Sequence, residues 1–231
     1  MSIKITNADG IEIEQNWIVK KFDKNPTYPF LVVDNWYTPE EEKAIWSELD
    51  LFKNMPNIHR AEDTIVAREK DGTSKGYSYR WYTNNFYHDD NYDRMPIERM
   101  LYKVRDQKFR DLIEFCAPYY RSFTVSNKNT NLISYYESND YYDAHFDSFA
   151  WTHLVWFYKE PKAFEGGDFV LDEPGVEVKC KHNRAIFFPC PYLHKVTPIK
   201  MKDETLPFGH GRWTITHFYY TEPNGDIKGN I

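Results

Sequence analysis

The stretch Tyr136 to Asp147, YESNDYYDAHFD, decides how the rest of the chain is read. His145 and Asp147 stand two residues apart. On an extended strand, residues i and i+2 point to the same face. An imidazole nitrogen and a carboxylate oxygen can then reach one cation. Any strand can carry such a pair, so its meaning depends on whether the surrounding chain builds a site around it.

The bulk composition sets the frame. The chain has 231 residues, 41% hydrophobic and 18% aromatic. That length suits one large domain, and the aromatic content leans towards strands. The net charge of −6 disfavours a generic phosphate-backbone binder, so no nucleic-acid partner is expected. Cys116, Cys180 and Cys190 are an odd count without CxxC spacing, which argues against a disulfide framework or a cysteine-rich zinc site. The N-terminus, MSIKITNADGIEIEQNW, has no basic start followed by an apolar run, so no signal peptide is expected. No apolar run approaches the roughly 18–20 residues that span a bilayer. The expectation is a cytoplasmic protein with no membrane partner and an open oligomeric state.

Patterning divides the chain into three parts of one domain, 1–231. Residues 1–27 read as an edge hairpin or a loose arm. Residues 28–120 read as helical support with a lid. Within them, Tyr28 to Asn35 is a short apolar run that reads as a buried strand. Thr38, Pro39 and Glu41 form a capping box at the start of a helix continued by Ile45, Leu49 and Phe52. Asp63 to Arg68 reads as a strand. Tyr77 to Tyr92 mixes aromatics with Asn, Asp and Arg, and fits either an irregular loop packed on the core or a substrate lid. Pro96 opens a second helix whose stripe of Ile97, Met100, Leu101, Val104, Leu112, Ile113 and Cys116 runs to near Pro118. Residues 121–231 change character to closely spaced short strands at 122–126, 131–137, 152–158, 168–171, 176–180, 184–188, 194–199 and 211–219. The fold expected is mainly β with N-terminal helices packed on one sheet, a sandwich or jelly roll.

A third ligand for the cation should come from a strand returning beside His145. The candidates are His153, His182, His194, His210 and His217. His194 is preferred, because an apolar strand, Arg184 to Phe188, delivers it and prolines bend the chain just before it. Two histidines and one carboxylate on one face of an ion leave the other positions open, the arrangement of non-haem Fe(II) oxygenases. A 2-oxo acid and O₂ can fill those positions. The far carboxylate of such an acid needs a cation, and Arg212 suits it as a planar, permanently charged fork. On a strand, Arg212, Thr214 and Thr216 share one face.

These residues resemble the prolyl 4-hydroxylase-like group of Fe(II)/2-oxoglutarate-dependent dioxygenases, weakly over 28–52 and strongly over 131–220. The family pattern of Tyr, Gly, aromatic and His at intervals of three reads here as Tyr136, Asn139, Tyr142 and His145, with Asn in place of Gly where a positive φ is needed. Leu154 to Tyr158, the Gly166-Gly167 turn and His194 to Pro198 resemble its next strand, hairpin and distal-histidine motif. The resemblance implies a double-stranded β-helix. It implies iron on His145, Asp147 and His194, and 2-oxoglutarate held by Arg212 with Tyr136 and Thr216 beside it. It allows ascorbate as an accessory. Arg212 lies further from the distal histidine than is usual in the family, so Lys200 and Lys202 stand as alternative cations. A family position on the strand after the HxD motif aligns with either Trp156 or Phe157.

The resemblance puts a prolyl or other residue of a protein or peptide first as substrate. A free amino acid or small metabolite comes second and an alkylated nucleobase third. A non-catalytic jelly-roll binding module and a two-histidine zinc hydrolase are the readings outside this class.

Overall fold

The computed structural model describes residues 2–7, 9–22, 27–56, 58–87 and 94–222. Ser2–Thr6 (β1) and Glu12–Asn16 (β2) pair as the N-terminal hairpin. Ile18–Phe22 (β3) and Phe30–Asp34 (β4) then enter the main sheet. Pro39–Lys53 (α1) begins at Thr38, whose hydroxyl accepts from the Glu41 amide while Glu41 accepts from the Thr38 amide. His59–Arg60 (β5), Gly76–Tyr77 (β6) and Tyr79–Tyr82 (β7) follow. The helical layer resumes with Pro96–Arg99 (α2), Tyr102–Arg105 (α3) and Gln107–Glu114 (α4).

The remaining strands are Lys128–Tyr136 (β8), Tyr141–His145 (β9), Trp151–Phe157 (β10), Phe164–Gly166 (β11), Phe169–Leu171 (β12) and Val176–Val178 (β13). Arg184–Pro189 (β14), His194–Val196 (β15), Ile199–Met201 (β16) and Arg212–Tyr220 (β17) complete the chain's strands among the described residues. The main sheet runs β3-β4-β14-β10-β17-β8-β7-β5 and the smaller one β13-β12-β15-β9-β6, with every pairing antiparallel. This is the jelly-roll architecture that the strand spacing anticipates. Phe30, Trp156, Phe169 and Ile186 fill the space between the sheets, where period-two alternation buries them. The opposite face of the main sheet is covered by the helices. There Ile45, Leu49 and Phe52 of α1 meet Trp81, Phe157 and Trp213, and the Trp81 and Trp213 rings stack with centroids 5.4 Å apart.

Three local expectations are corrected. Residues 63–68 do not form a strand: Ala61–Asp63 is a 3₁₀ turn, and Arg68 makes only an isolated bridge to Ser74. The second helix is broken into α2, α3 and α4. Asp106 adopts an extended ψ of 140° and its carboxylate caps the Lys108 amide, so it starts a new helix instead of continuing the old one. The apolar stripe survives the break, since Ile97, Leu101, Val104 and Ile113 are all buried. Residues 122–126 are not a strand either. They lie mostly in the 3₁₀ segment Pro118–Val125, where the Ser122 and Thr124 hydroxyls donate to the carbonyls of Tyr119 and Arg121. Of the aromatic stretch 77–92, residues 88–92 lie outside the described residues; the rest supplies part of β6, the edge of the smaller sheet, and β7, which lies between β8 and the edge strand β5 in the main sheet. No helix among the described residues is long and apolar enough to cross a membrane.

Candidate active site

Asn139 turns the chain between β8 and β9 with φ 69°, and its amide donates to the Ile199 carbonyl at 2.9 Å. That turn delivers β9, which ends on His145. Asp147 lies just beyond the strand, where its amide donates to the Cys190 carbonyl. The smaller sheet pairs His194 directly opposite His145, with a register shift between His194 and Val196. The two imidazoles and the Asp147 carboxylate thus meet, their ligand atoms within 4.8 Å of one another. The Nε2 atoms of His145 and His194 lie 3.6 and 3.7 Å from the two Asp147 oxygens.

The donor set suits a divalent metal ion. Each imidazole donates its Nδ1–H to a backbone carbonyl, His145 to Asp143 and His194 to Tyr192, both at 2.8 Å. Both Nε2 lone pairs therefore face the Asp147 carboxylate, as a metal ligand requires. Burial drives His194 down to about 4, against the opposing pull of Asp147, so it is neutral near pH 7. Burial alone would raise the Asp147 carboxyl. His194, His145 and the Thr152 hydroxyl, which donates to it at 2.6 Å, outweigh that and hold it below its usual value. Two imidazole nitrogens and one carboxylate oxygen thus converge on one point.

A narrow cleft of about 60 Å³ runs from this trio between the sheets. Arg212 lies in it, 1% exposed, with its guanidinium carbon 4.1 Å from the Tyr136 ring centre. One guanidinium nitrogen donates to the Gly167 carbonyl at 2.6 Å, while Nε is buried without a partner. The Thr214 hydroxyl, on the same strand face, is also buried and unpartnered. A planar cation and a hydroxyl left unsatisfied in a closed space are what a carboxylate ligand would complete. Thr216 lines the cleft one step nearer the metal trio, opposite Leu154. Trp156 points into the cleft and Phe157 to the helical side. Lys200 is exposed, and Lys202 reaches the Lys162 carbonyl; neither lines the cleft.

The other histidines lie elsewhere. His153 and His217 are buried beneath the helices on the far face of the main sheet, their rings 5.8 Å apart. His182 meets Glu42, and the His210 ring donates to the Pro207 carbonyl in a loop. Two cleft residues escaped the sequence reading of the site. Thr152, which donates to Asp147, stands near the start of the strand after the motif. Arg80 comes from β7, in a stretch whose mixed composition hides a strand.

Residues 131–220 match the family model of the 2OG-Fe(II) oxygenase superfamily. A search of curated proteins finds no match. Among solved structures, the chain is similar to a prolyl-4-hydroxylase from Pseudomonas putida, with a TM-score of 0.57 at 14% identity, covering 87% of this chain and 96% of that one. It is also similar to a 2OG-Fe(II) oxygenase family oxidoreductase from Burkholderia pseudomallei, with a TM-score of 0.53 at 12% identity, covering 83% and 84%. The viral collagen prolyl hydroxylase of Paramecium Bursaria Chlorella virus-1 aligns with a TM-score of 0.49 at 15% identity, covering 82% and 94%.

Proposed function

We propose, from the match of residues 131–220 to the 2OG-Fe(II) oxygenase superfamily, that His145, Asp147 and His194 hold iron while Arg212 grips the far carboxylate of 2-oxoglutarate. It is a 2-oxoglutarate- and Fe(II)-dependent dioxygenase of the hydroxylating kind. One observation carries the assignment of residues. Two bare Nε2 atoms and a carboxylate converge at one end of a cleft that contains an arginine with no acidic partner among the described residues.

When bound, the iron supplies the oxygen chemistry, coupling decarboxylation of 2-oxoglutarate to succinate with hydroxylation of an unactivated C–H bond. The protein's own groups do the rest. The Asp143 and Tyr192 carbonyls hold each imidazole in the tautomer that presents Nε2. Thr152 fixes the rotation of the Asp147 carboxylate. Arg212, packed on Tyr136 and tied to the Gly167 carbonyl, sets the depth to which 2-oxoglutarate enters, and Thr214 and Thr216 lie on the same wall. The aromatic lining of Tyr142, Trp156 and Phe169 keeps water from the bound cosubstrate.

The substrate put first is a prolyl or other residue of a protein or peptide; the fold shared with the Pseudomonas putida prolyl-4-hydroxylase supports it. A free amino acid or small metabolite is the second reading, favoured by a second buried guanidinium in the cleft. We read 1–231 as one domain, in which 28–120 supply the helical cover and also strands β4, β5 and β7 of the main sheet. The assignment is tested by Fe(II) titration and by succinate release across a peptide and amino-acid panel, with mass spectrometry for a product heavier by one oxygen. His145→Ala is expected to lose iron binding and succinate release together. A His145→Ala protein that still consumed 2-oxoglutarate with iron present would defeat it.

A further inference from the structure

Arg80 is the least explained charge in the molecule. It lies on β7, opposite Ser134 in the register, and Ser134 lies opposite Thr214. One row of the main sheet thus carries Arg80, Ser134, Thr214 and Trp156 across the floor of the cleft. The guanidinium is 4% exposed and points between the sheets, with its carbon 5.2 Å from the Tyr142 ring centre. That ring stacks in turn on His145, centroids 3.5 Å apart. A single aromatic ring therefore separates Arg80 from a metal ligand. The close packing is built in: Gly76 of β6 sits against Tyr142, where a Cβ would come within 2.9 Å of the ring.

The groups facing Arg80 are neutral. Its Nε donates to the Ser78 hydroxyl at a long 3.4 Å, and the phenols of Tyr82, Tyr136 and Tyr142 surround the rest. No carboxylate pairs with it among the described residues. Its neighbours on the same sheet differ in this respect. Arg60 holds Asp140 and Glu62, and Arg184 holds Asp34 at 2.5 and 2.9 Å. A buried cation without an anion is costly, so an arginine kept in this condition is one awaiting a ligand.

The charge balance of the loaded site points the same way. A divalent iron against Asp147, the only acid lining the cleft among the described residues, leaves one positive charge. The two guanidinia bring that to three. Dianionic 2-oxoglutarate removes two, and one buried positive charge stays uncompensated. A second dicarboxylate is not needed; one further carboxylate suffices.

We propose that Arg80 is the anchor for a carboxylate of the substrate to be hydroxylated, so that the enzyme acts on a free amino acid or other small carboxylic acid, or on the C-terminal residue of a peptide, and not on an internal residue. This rests on the dioxygenase reading of the site. A carboxylate held by the Arg80 fork would lie beside the Tyr142 ring that stacks on His145, at one side of the proposed metal site. The anchor is distinct from Arg212, which stands on β17 two residues before Thr214, in the neighbouring row, and would serve the cosubstrate.

The test uses the full chain loaded with Mn(II), which does not turn over, and 2-oxoglutarate. The twenty free L-amino acids are titrated by calorimetry and thermal shift. Each acid that binds is tested again as its carboxamide, as the C-terminal residue of an acetylated tripeptide, and as an internal residue of a doubly capped peptide. The expected result is binding of at least one free acid or C-terminal form, weakened about tenfold or more in the carboxamide and in Arg80→Gln. 2-Oxoglutarate affinity is expected to change far less in Arg80→Gln, and Arg80→Lys to recover part of the binding. The free-acid and C-terminal arms separate the two sources of the carboxylate. The carboxamide arm needs no variant, so misfolding of Arg80→Gln does not blunt it. The proposal is overturned if carboxamides bind as well as acids, if the capped internal peptide binds best, if Arg80→Gln weakens 2-oxoglutarate instead, or if no acid binds. Failure of the dioxygenase reading would look different: the wild-type chain would then bind neither Mn(II) nor 2-oxoglutarate.

Discussion

Arg212 owes its proposed role to what it lacks. Its Nε has no partner, the adjoining Thr214 hydroxyl has none, and the guanidinium is locked between the Tyr136 ring and the Gly167 carbonyl. Truncating one partner of a buried, hydrogen-bonded charge pair costs about 2 kcal/mol at the low end, roughly 30-fold in affinity. Arg212→Ala is therefore expected to raise the KM for 2-oxoglutarate by about that factor or more. Arg212→Lys should fall between the two, because the charge remains but the two-pronged geometry is lost. Iron affinity, measured by titration, should stay close to wild type, since no metal ligand touches Arg212. A loss of iron binding equal to the loss of cosubstrate binding would rule out a dedicated cosubstrate role for Arg212.

At the scale of elements, the site depends on close approaches that only small residues permit. Gly167 follows β11 with φ +71°, a left-handed conformation that disfavours any side chain. A Cβ there would also lie 2.5 Å from Ile199 Cδ1 and 3.0 Å from Arg212 Cδ. Gly167→Ala should thus displace the aliphatic stem of Arg212 and weaken 2-oxoglutarate binding, with iron binding retained. Side-by-side calorimetry of the two ligands checks this, and an unchanged KM would show that the hairpin does not set the arginine's position. The helix α1 depends in the same local way on its N-terminal residues, through the reciprocal bonds of Thr38 and Glu41. Its apolar face covers the reverse of the sheet that carries the site, so the element's stability and the site's geometry are linked by packing.

The whole molecule carries a pH signature outside the site. Glu48 of α1 is buried against the helical layer, accepting from the Tyr87 hydroxyl and from the Ile97 amide at 2.7 Å. Burial pushes its carboxyl from 4.5 up to about 8, and burial pushes Glu98 up to about 7. A carboxyl whose folded value is raised contributes stability fully present below its unfolded value and lost as the pH climbs through the folded one. The melting temperature should therefore fall between about pH 5 and pH 8. Glu48→Gln should flatten that slope and melt higher at the upper end, by about 2–4 °C for each kcal/mol recovered. Lys103, lowered to about 8 by burial beside Glu41, acts in the opposite direction and only above that pH. A pH-independent melting temperature for the unsubstituted protein would contradict this account.

The sequence by itself pointed to the cluster of His145, Asp147 and His194 that could hold a metal ion, and determined the class of fold. Period-two alternation, turn residues such as Asn139 and the capping box at Thr38 are local signals, set by backbone sterics and near-neighbour bonds. They suffice to nominate His145, Asp147, His194 and Arg212 as residues on or beside the strands of a jelly roll. Local signals failed where side chains compete for the backbone: Asp106 starts a new helix, and Ser122 and Thr124 tighten a 3₁₀ segment in a stretch that reads as a strand. Only the tertiary structure decided which face of a strand looks inward. His153 and His217 are as suited to metal as His194, but alternation sends them beneath the helices while Thr152 and Thr216 line the cleft. Arg80 depended on tertiary structure most of all. Its place opposite Ser134 comes from a pairing between strands far apart in the chain, and the register that buries its charge beside the Tyr142 ring and the proposed metal ligand His145 exists only once the two sheets have closed over it.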